Sequence, residues 1–197
     1  LLRHLQNIRE VWGLTPVVAV NRFARDTQAE IDLVMRAARE AGAEVALSDV
    51  WARGGEGGEE LGRAVLRAME KPSALSFTYP ADLPLKDKIT AVAKRVYRAK
   101  SVVFGKGVLP DLKKLESEGC GAMPVCIAKT QYSFSDDAAK INVPEGFTLT
   151  IRQVRLSAGA GFVVAFAGDI IAMPGLPKAP AALGIDVDGN GRITGLF

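Results

Sequence analysis

Apolar residues recur along this chain with two alternating periods. Leu1, Leu5, Ile8 and Val11 follow helical spacing, which predicts a helix over 1–12 that stops at Gly13. Pro16 then opens Val17, Val18, Ala19 and Val20, a continuous apolar run of strand length. Such runs suit a strand buried on both faces of a parallel sheet. A loop over 21–26 leads to Thr27-x-x-Glu30, a capping box for a helix that buries Ile31, Val34, Met35 and Ala38 and ends at Gly42. A second strand is predicted over 44–47. Helix, strand, helix and strand with short connections are the βαβ pattern of an α/β protein with an open parallel sheet.

Beyond a glycine cluster at 54–58, the pattern predicts a helix over 59–71, stopped by Pro72. Residues 72–84 carry three prolines and little periodicity, as a crossing between subdomains does. Pro84 opens a helix whose apolar face is Leu85, Ile89, Val92 and Val96. A weaker helix is expected over 110–118. Strand patterns follow at 125–128, at the alternating Phe147, Leu149 and Ile151, and at 161–167, before a Pro/Gly-punctuated loop over 173–180.

Composition narrows the function. The 197 residues include 48% hydrophobic and 24% charged positions, ordinary for a globular core. A net charge of +3 without a Lys/Arg block argues against nucleic acid as a partner. The apolar stretch 158–168 is too short for a bilayer, which needs roughly 20 residues, so no membrane association is expected. Cys120 and Cys126 have neither redox nor zinc spacing, which points to the cytoplasm, with both thiols buried or idle. Helical periodicity begins at residue 1 with neither a cap nor an initiator Met, so the chain reads as a C-terminal fragment of a longer one.

Several constellations admit two readings. The glycines at 54–58 precede a helix and suit either an anion cradle or a flexible loop, and no Gly-Lys-Ser/Thr makes them a Walker A loop. Asp186, Asp188 and Asn190 imitate an EF-hand, but position twelve is Phe197, which favours a hairpin turn and no metal. Asn21 ends a strand where open sheets place ligands, but Asn21-Arg22-Phe23-Ala24 lacks the Lys and Asp that read guanine. Phe23 and Trp51 each follow a predicted parallel strand, so both rings belong to one sheet edge. They either cap the core, as large aromatics usually do, or hold a flat heterocycle between them. His4 is the sole histidine and is expected at the surface, so no Ser/His/Asp or Cys/His relay is available and no catalytic residue is assigned. Residues 129–137 form either a ligand loop or a solvated turn.

The stretches 18–23 (Val-Ala-Val-Asn-Arg-Phe), 44–58, 124–137, 154–162, 173–177 and 195–197 follow one another in a family's order. Across the whole chain the sequence resembles the C-terminal part of formate–tetrahydrofolate ligase. The resemblance implies ATP-dependent joining of formate to tetrahydrofolate through formyl phosphate, giving 10-formyltetrahydrofolate. It implies ATP with Mg2+ and small-molecule substrates, help from a monovalent cation, a cytoplasmic homotetramer, and a Walker A loop outside this stretch. It further implies that residues 1–72 belong to a large P-loop-type parallel-sheet domain and 73–197 to a smaller α+β domain. By resemblance, Phe23 and Trp51 hold the pterin with Leu47 beside them, and Arg22 or Arg53 pairs with the anionic glutamyl tail. The stretches 129–137 and 155–161 are expected on the nucleotide side. A non-catalytic folate-binding or assembly domain is the alternative.

Overall fold

The computed structural model describes residues 1–168, 170 and 178–195. The stretch 173–177 and the residues Leu196 and Phe197 therefore lie outside the described residues. The chain is α/β, with parallel strands in two sheets. Helix α1 (Leu2–Glu10) leads to β1 (Val17–Asn21), α2 (Gln28–Glu40) and β2 (Glu44–Ser48). β1 and β2 pair in parallel, with Val17 opposite Glu44 and Asn21 opposite Ser48. The capping box forms as expected: Thr27 Oγ1 accepts the Glu30 N–H, and the Glu30 carboxylate accepts the Thr27 N–H. A short helix α3 (Val50–Arg53) and a tight turn over Gly54–Gly58 then precede α4 (Glu59–Met69).

The second sheet follows α5 (Leu85–Arg95). Its strands are β3 (Ser101–Phe104), β4 (Val125–Ala128), β5 (Thr148–Ser157) and β6 (Phe162–Ala167), in the order β3-β5-β6-β4. β3 runs parallel to β5 and β4 parallel to β6, while β5 and β6 pair antiparallel, so the sheet is mixed. Between β3 and β4 lies α6 (Val108–Leu115), prolonged by a wider turn over Glu116–Cys120. Leu85, Ile89 and Ala93 of α5 and Val108 and Leu112 of α6 pack with Leu149, Ile151, Val163 and Ala165 into one apolar core. Lys88 is buried beside it; its ammonium donates to the carbonyls of Gly121 (2.7 Å) and Met123 (3.0 Å). Those bonds offset the cost of taking a cation out of water. A hairpin of β7 (Asp186–Val187) and β8 (Ile193–Thr194) closes the described chain.

Helix α1 ties the two sheets together. Asn7 Nδ2 donates to the Val96 carbonyl at 3.0 Å, the Arg9 guanidinium donates to the Ala41 carbonyl, and Trp12 Nε1 donates to Thr78 Oγ1 at 3.0 Å. The crossing segment is laced onto the end of α1, with the Ala74 N–H donating to Gly13 O and the Ser76 N–H to Trp12 O. Gly13 has φ +65°, and a Cβ there would collide with the Ala74 carbonyl, so both torsion and space demand glycine.

Two expectations change. Among the described residues β1 is not covered on both faces: Ala19 is exposed and its neighbours half-buried, because β2 alone of the described strands pairs with it. Val34 faces solvent on α2 while Ile31 and Ala38 are buried. Both cysteines are free, Cys120 buried and Cys126 exposed on β4, which leaves the reading of buried or idle thiols standing. Strand β3 and helix α3 carried too few residues to register as periodic segments.

Candidate functional site at the carboxyl edge of β1 and β2

The register sets the site. Asn21 and Ser48 are opposite one another at the strand ends, and the Arg22 N–H donates to the Ser48 carbonyl at 3.0 Å, extending the pairing by one residue. Whatever follows both strands therefore leaves from one edge, the place where open α/β sheets bind ligands. Phe23 follows β1 and is 69% exposed; Trp51, on α3 beyond β2, is 90% exposed. Neither ring caps the core formed by the described residues. The ring contacts among the described residues lie elsewhere, at Phe134, so Phe23 and Trp51 are not stacked on each other.

Leu47 is half-buried and lines a cleft of about 730 Å³ together with Arg22, Asp49, Arg53 and Gly57. Phe23 and Trp51 are not part of that cleft's wall. The two arginines differ. Arg53 pairs with Glu56 at 3.3 Å, whereas Arg22 has no ion pair among the described residues. The glycine cluster is an ordered turn rather than a flexible loop: Gly57 is buried, and its carbonyl accepts the Asp49 N–H at 3.0 Å. This bond anchors the start of α3 and with it the backbone of Trp51.

A second ordered cluster lies beyond β4. Thr130, Ser133, Phe134 and Ser135 are buried, so residues 129–137 are more than a solvated turn. Lys129 donates to the carbonyls of Thr130 (3.0 Å) and Ser133 and sits 5.1 Å from the Tyr97 ring centroid and 5.8 Å from that of Phe134. Burial pushes its ammonium below the usual lysine pKa. His4 is exposed, as expected, with its ring 5.0 Å from Phe134. Partial burial lowers its pKa, and the charge of Lys129 acts in the same direction. Burial, with a smaller contribution from Cys126, pushes the Tyr97 phenol up to about 12. Sequence reasoning missed this grouping, since His4 and Lys129 meet only through the docking of α1.

The stretches 129–137 and 155–161 flank the same strand, β6. β4 and β6 run parallel, with Val125 opposite Val163 and Ala128 opposite Phe166. Residues 129–137 thus leave from the carboxyl end of β6, while the turn over 158–161 precedes its amino end. That turn and residues 129–137 thus lie at opposite ends of β6, while Arg155, paired with Val164, lies between them.

The acidic motif near the C-terminus forms the hairpin turn. Asp188 Oδ1 accepts the N–H groups of Asn190 and Arg192, both at 2.9 Å, and Gly191 has φ +78°. No cluster of three or more His, Cys, Asp or Glu suited to a metal occurs among the described residues. None of their helices is long and apolar enough to cross a membrane.

An open parallel strand pair with helices in its connections defines an α/β protein, and the loops at the carboxyl edge of such a sheet are where this class commonly binds ligands. Residues 1–197 match the family of formate–tetrahydrofolate ligases in full. The chain is also similar to the formate–tetrahydrofolate ligase of Symbiobacterium thermophilum, at 56% identity over 197 residues. That match takes in all of this chain and 35% of the relative, so the chain spans about a third of the relative's length. The chain belongs to the formate–tetrahydrofolate ligase family.

Proposed function

We propose that this chain supplies the folate-binding wall of an ATP-dependent formate–tetrahydrofolate ligase. The observation that carries the reading is the placement of Phe23 and Trp51 at one sheet edge, both exposed and neither engaged with the other. A pterin is flat and polarisable, and two rings offer it apolar faces while Leu47 lies beside it. Arg22, rather than the Glu56-paired Arg53, faces the anionic glutamyl tail.

In the complete enzyme, ATP phosphorylates formate with release of ADP, and a nitrogen of tetrahydrofolate attacks the carbon of the formyl phosphate, breaking its C–O bond and expelling inorganic phosphate. The Walker A phosphate cradle belongs to another part of the enzyme, because no Gly-Lys-Ser/Thr loop occurs in this chain. Mg2+ and a monovalent cation, when bound, would supply charge neutralisation on that phosphate side, away from the folate wall. What these residues do is bind and orient: stacking fixes the pterin plane, and a fixed plane presents the nucleophilic nitrogen in one direction. Residues 1–72 form part of a P-loop-type parallel-sheet domain, in keeping with the half-covered β1, and residues 73–197 a smaller α+β domain. The assembly is a cytoplasmic homotetramer.

Tetrahydrofolate titration of the complete enzyme, followed by tryptophan fluorescence, tests the reading. Trp51 should be quenched on binding, and the quench should vanish in Trp51→Phe while Trp12 still emits. A folate-binding isotherm unaltered by Trp51→Ala and Phe23→Ala would sink it.

A further inference from the structure

Phe23 is exposed, yet its backbone is tightly held. The Phe23 N–H donates to Asp26 Oδ2 at 2.8 Å, and the Phe23 carbonyl accepts the Asp26 N–H at 3.1 Å. Together they close a four-residue turn with a carboxylate folded back into it. Asp26 is half-buried while Arg25 and Thr27 on either side are exposed.

The carboxylate has no other evident task. The start of α2 is already capped by Thr27 and Glu30, which satisfy each other's N–H groups without Asp26. Among the described residues no ion pair joins Asp26 to a neighbouring arginine. On its other side the turn is pinned to β2 through the Arg22 N–H and the Ser48 carbonyl. An exposed aromatic on an unbraced loop must be ordered when its ligand arrives, and that ordering opposes binding.

We infer that Asp26 is a positioning residue for the aromatic clamp. Its carboxylate holds the Phe23 amide so that the backbone bearing the ring is set before the pterin binds. The inference rests on the stacking reading above. Asp26 acts through Phe23 and need not touch the ligand.

The test is steady-state kinetics of the complete enzyme carrying Asp26→Ala, Asp26→Asn, Phe23→Ala, and Asp26→Ala combined with Phe23→Ala. Losing one net hydrogen bond should raise the KM for tetrahydrofolate about fivefold in Asp26→Ala. The KM values for ATP and formate and the kcat should stay as they are. Asp26→Asn keeps an acceptor oxygen and should restore most of the loss. In the Phe23→Ala background, Asp26→Ala should add nothing. A raised tetrahydrofolate KM in Phe23→Ala beside an unaffected Asp26→Ala overturns this inference alone. So does an Asp26→Ala effect that persists in the Phe23→Ala background or extends equally to ATP. An unchanged KM in Phe23→Ala overturns the stacking reading, and this inference falls with it.

Discussion

Gly57 lies so close to Asp49 that a side chain between them has no room: its carbonyl accepts the Asp49 N–H at 3.0 Å, and a Cβ on Gly57 would collide with the Asp49 backbone. The close approach ties the glycine turn to the carboxyl end of β2, from which α3 carries Trp51 outward. Gly57→Ala should therefore act on both stability and ligand binding. Forcing extra volume into a packed contact costs about 1–3 kcal/mol, so thermal unfolding should shift down measurably. Gly55→Ala is the control, because open space surrounds that position. Equal melting temperatures for the two variants would refute the account.

Trp51 is 90% exposed, so removing it should cost folding little while costing folate binding much. Surface substitutions usually stay within about 0.5 kcal/mol, whereas stacking on a flat base contributes about 1–3 kcal/mol. Trp51→Ala should raise the tetrahydrofolate dissociation constant roughly tenfold, and Trp51→Phe should raise it far less. Isothermal titration with a melting curve on the same samples separates the two effects. Phe23→Ala should behave alike, and the pair should be less than additive because both rings grip one ligand.

The arginines divide by their partners. Arg22→Gln should weaken binding of folates with several glutamates more than of those with one, and the difference should shrink with added salt. Arg53→Gln should do less, since Glu56 already occupies its guanidinium. Affinities for the two folate forms across a salt series decide between them.

Tyr97 titrates at about 12 in the folded protein against an ordinary 10.0. Between those values the unfolded chain loses the phenol proton and the folded one keeps it. The unfolded state then binds fewer protons, so stability present below pH 10 falls as pH rises toward 12. Tyr97→Phe should flatten that alkaline loss in urea unfolding measured from pH 9 to 12. An equally steep loss in the variant would assign it to other groups.

Much of the architecture follows from local chemistry. The capping box at Thr27 and Glu30, the apolar run from Val17 to Val20, and the alternation through Leu149 and Ile151 each constrain neighbours a few residues away, and each predicted its element. The edge shared by Phe23 and Trp51 was legible for the same reason: two short βα connections leave little freedom over where their first loop residues emerge. Other features arise from contacts between residues far apart in the chain. The exposure of Phe23 and Trp51 depends on what else packs at that edge, which no local period encodes. The division of Arg22 from Arg53 depends on where the glycine turn puts Glu56, and the separation of 129–137 from 158–161 on β4 running parallel to β6. The brace from Asp26 to Phe23 spans three residues, but a loop over 21–26 carries no period that says which amide the Asp26 carboxylate accepts. Only the folded backbone turned that carboxylate toward Phe23, because the cap was already satisfied by Glu30.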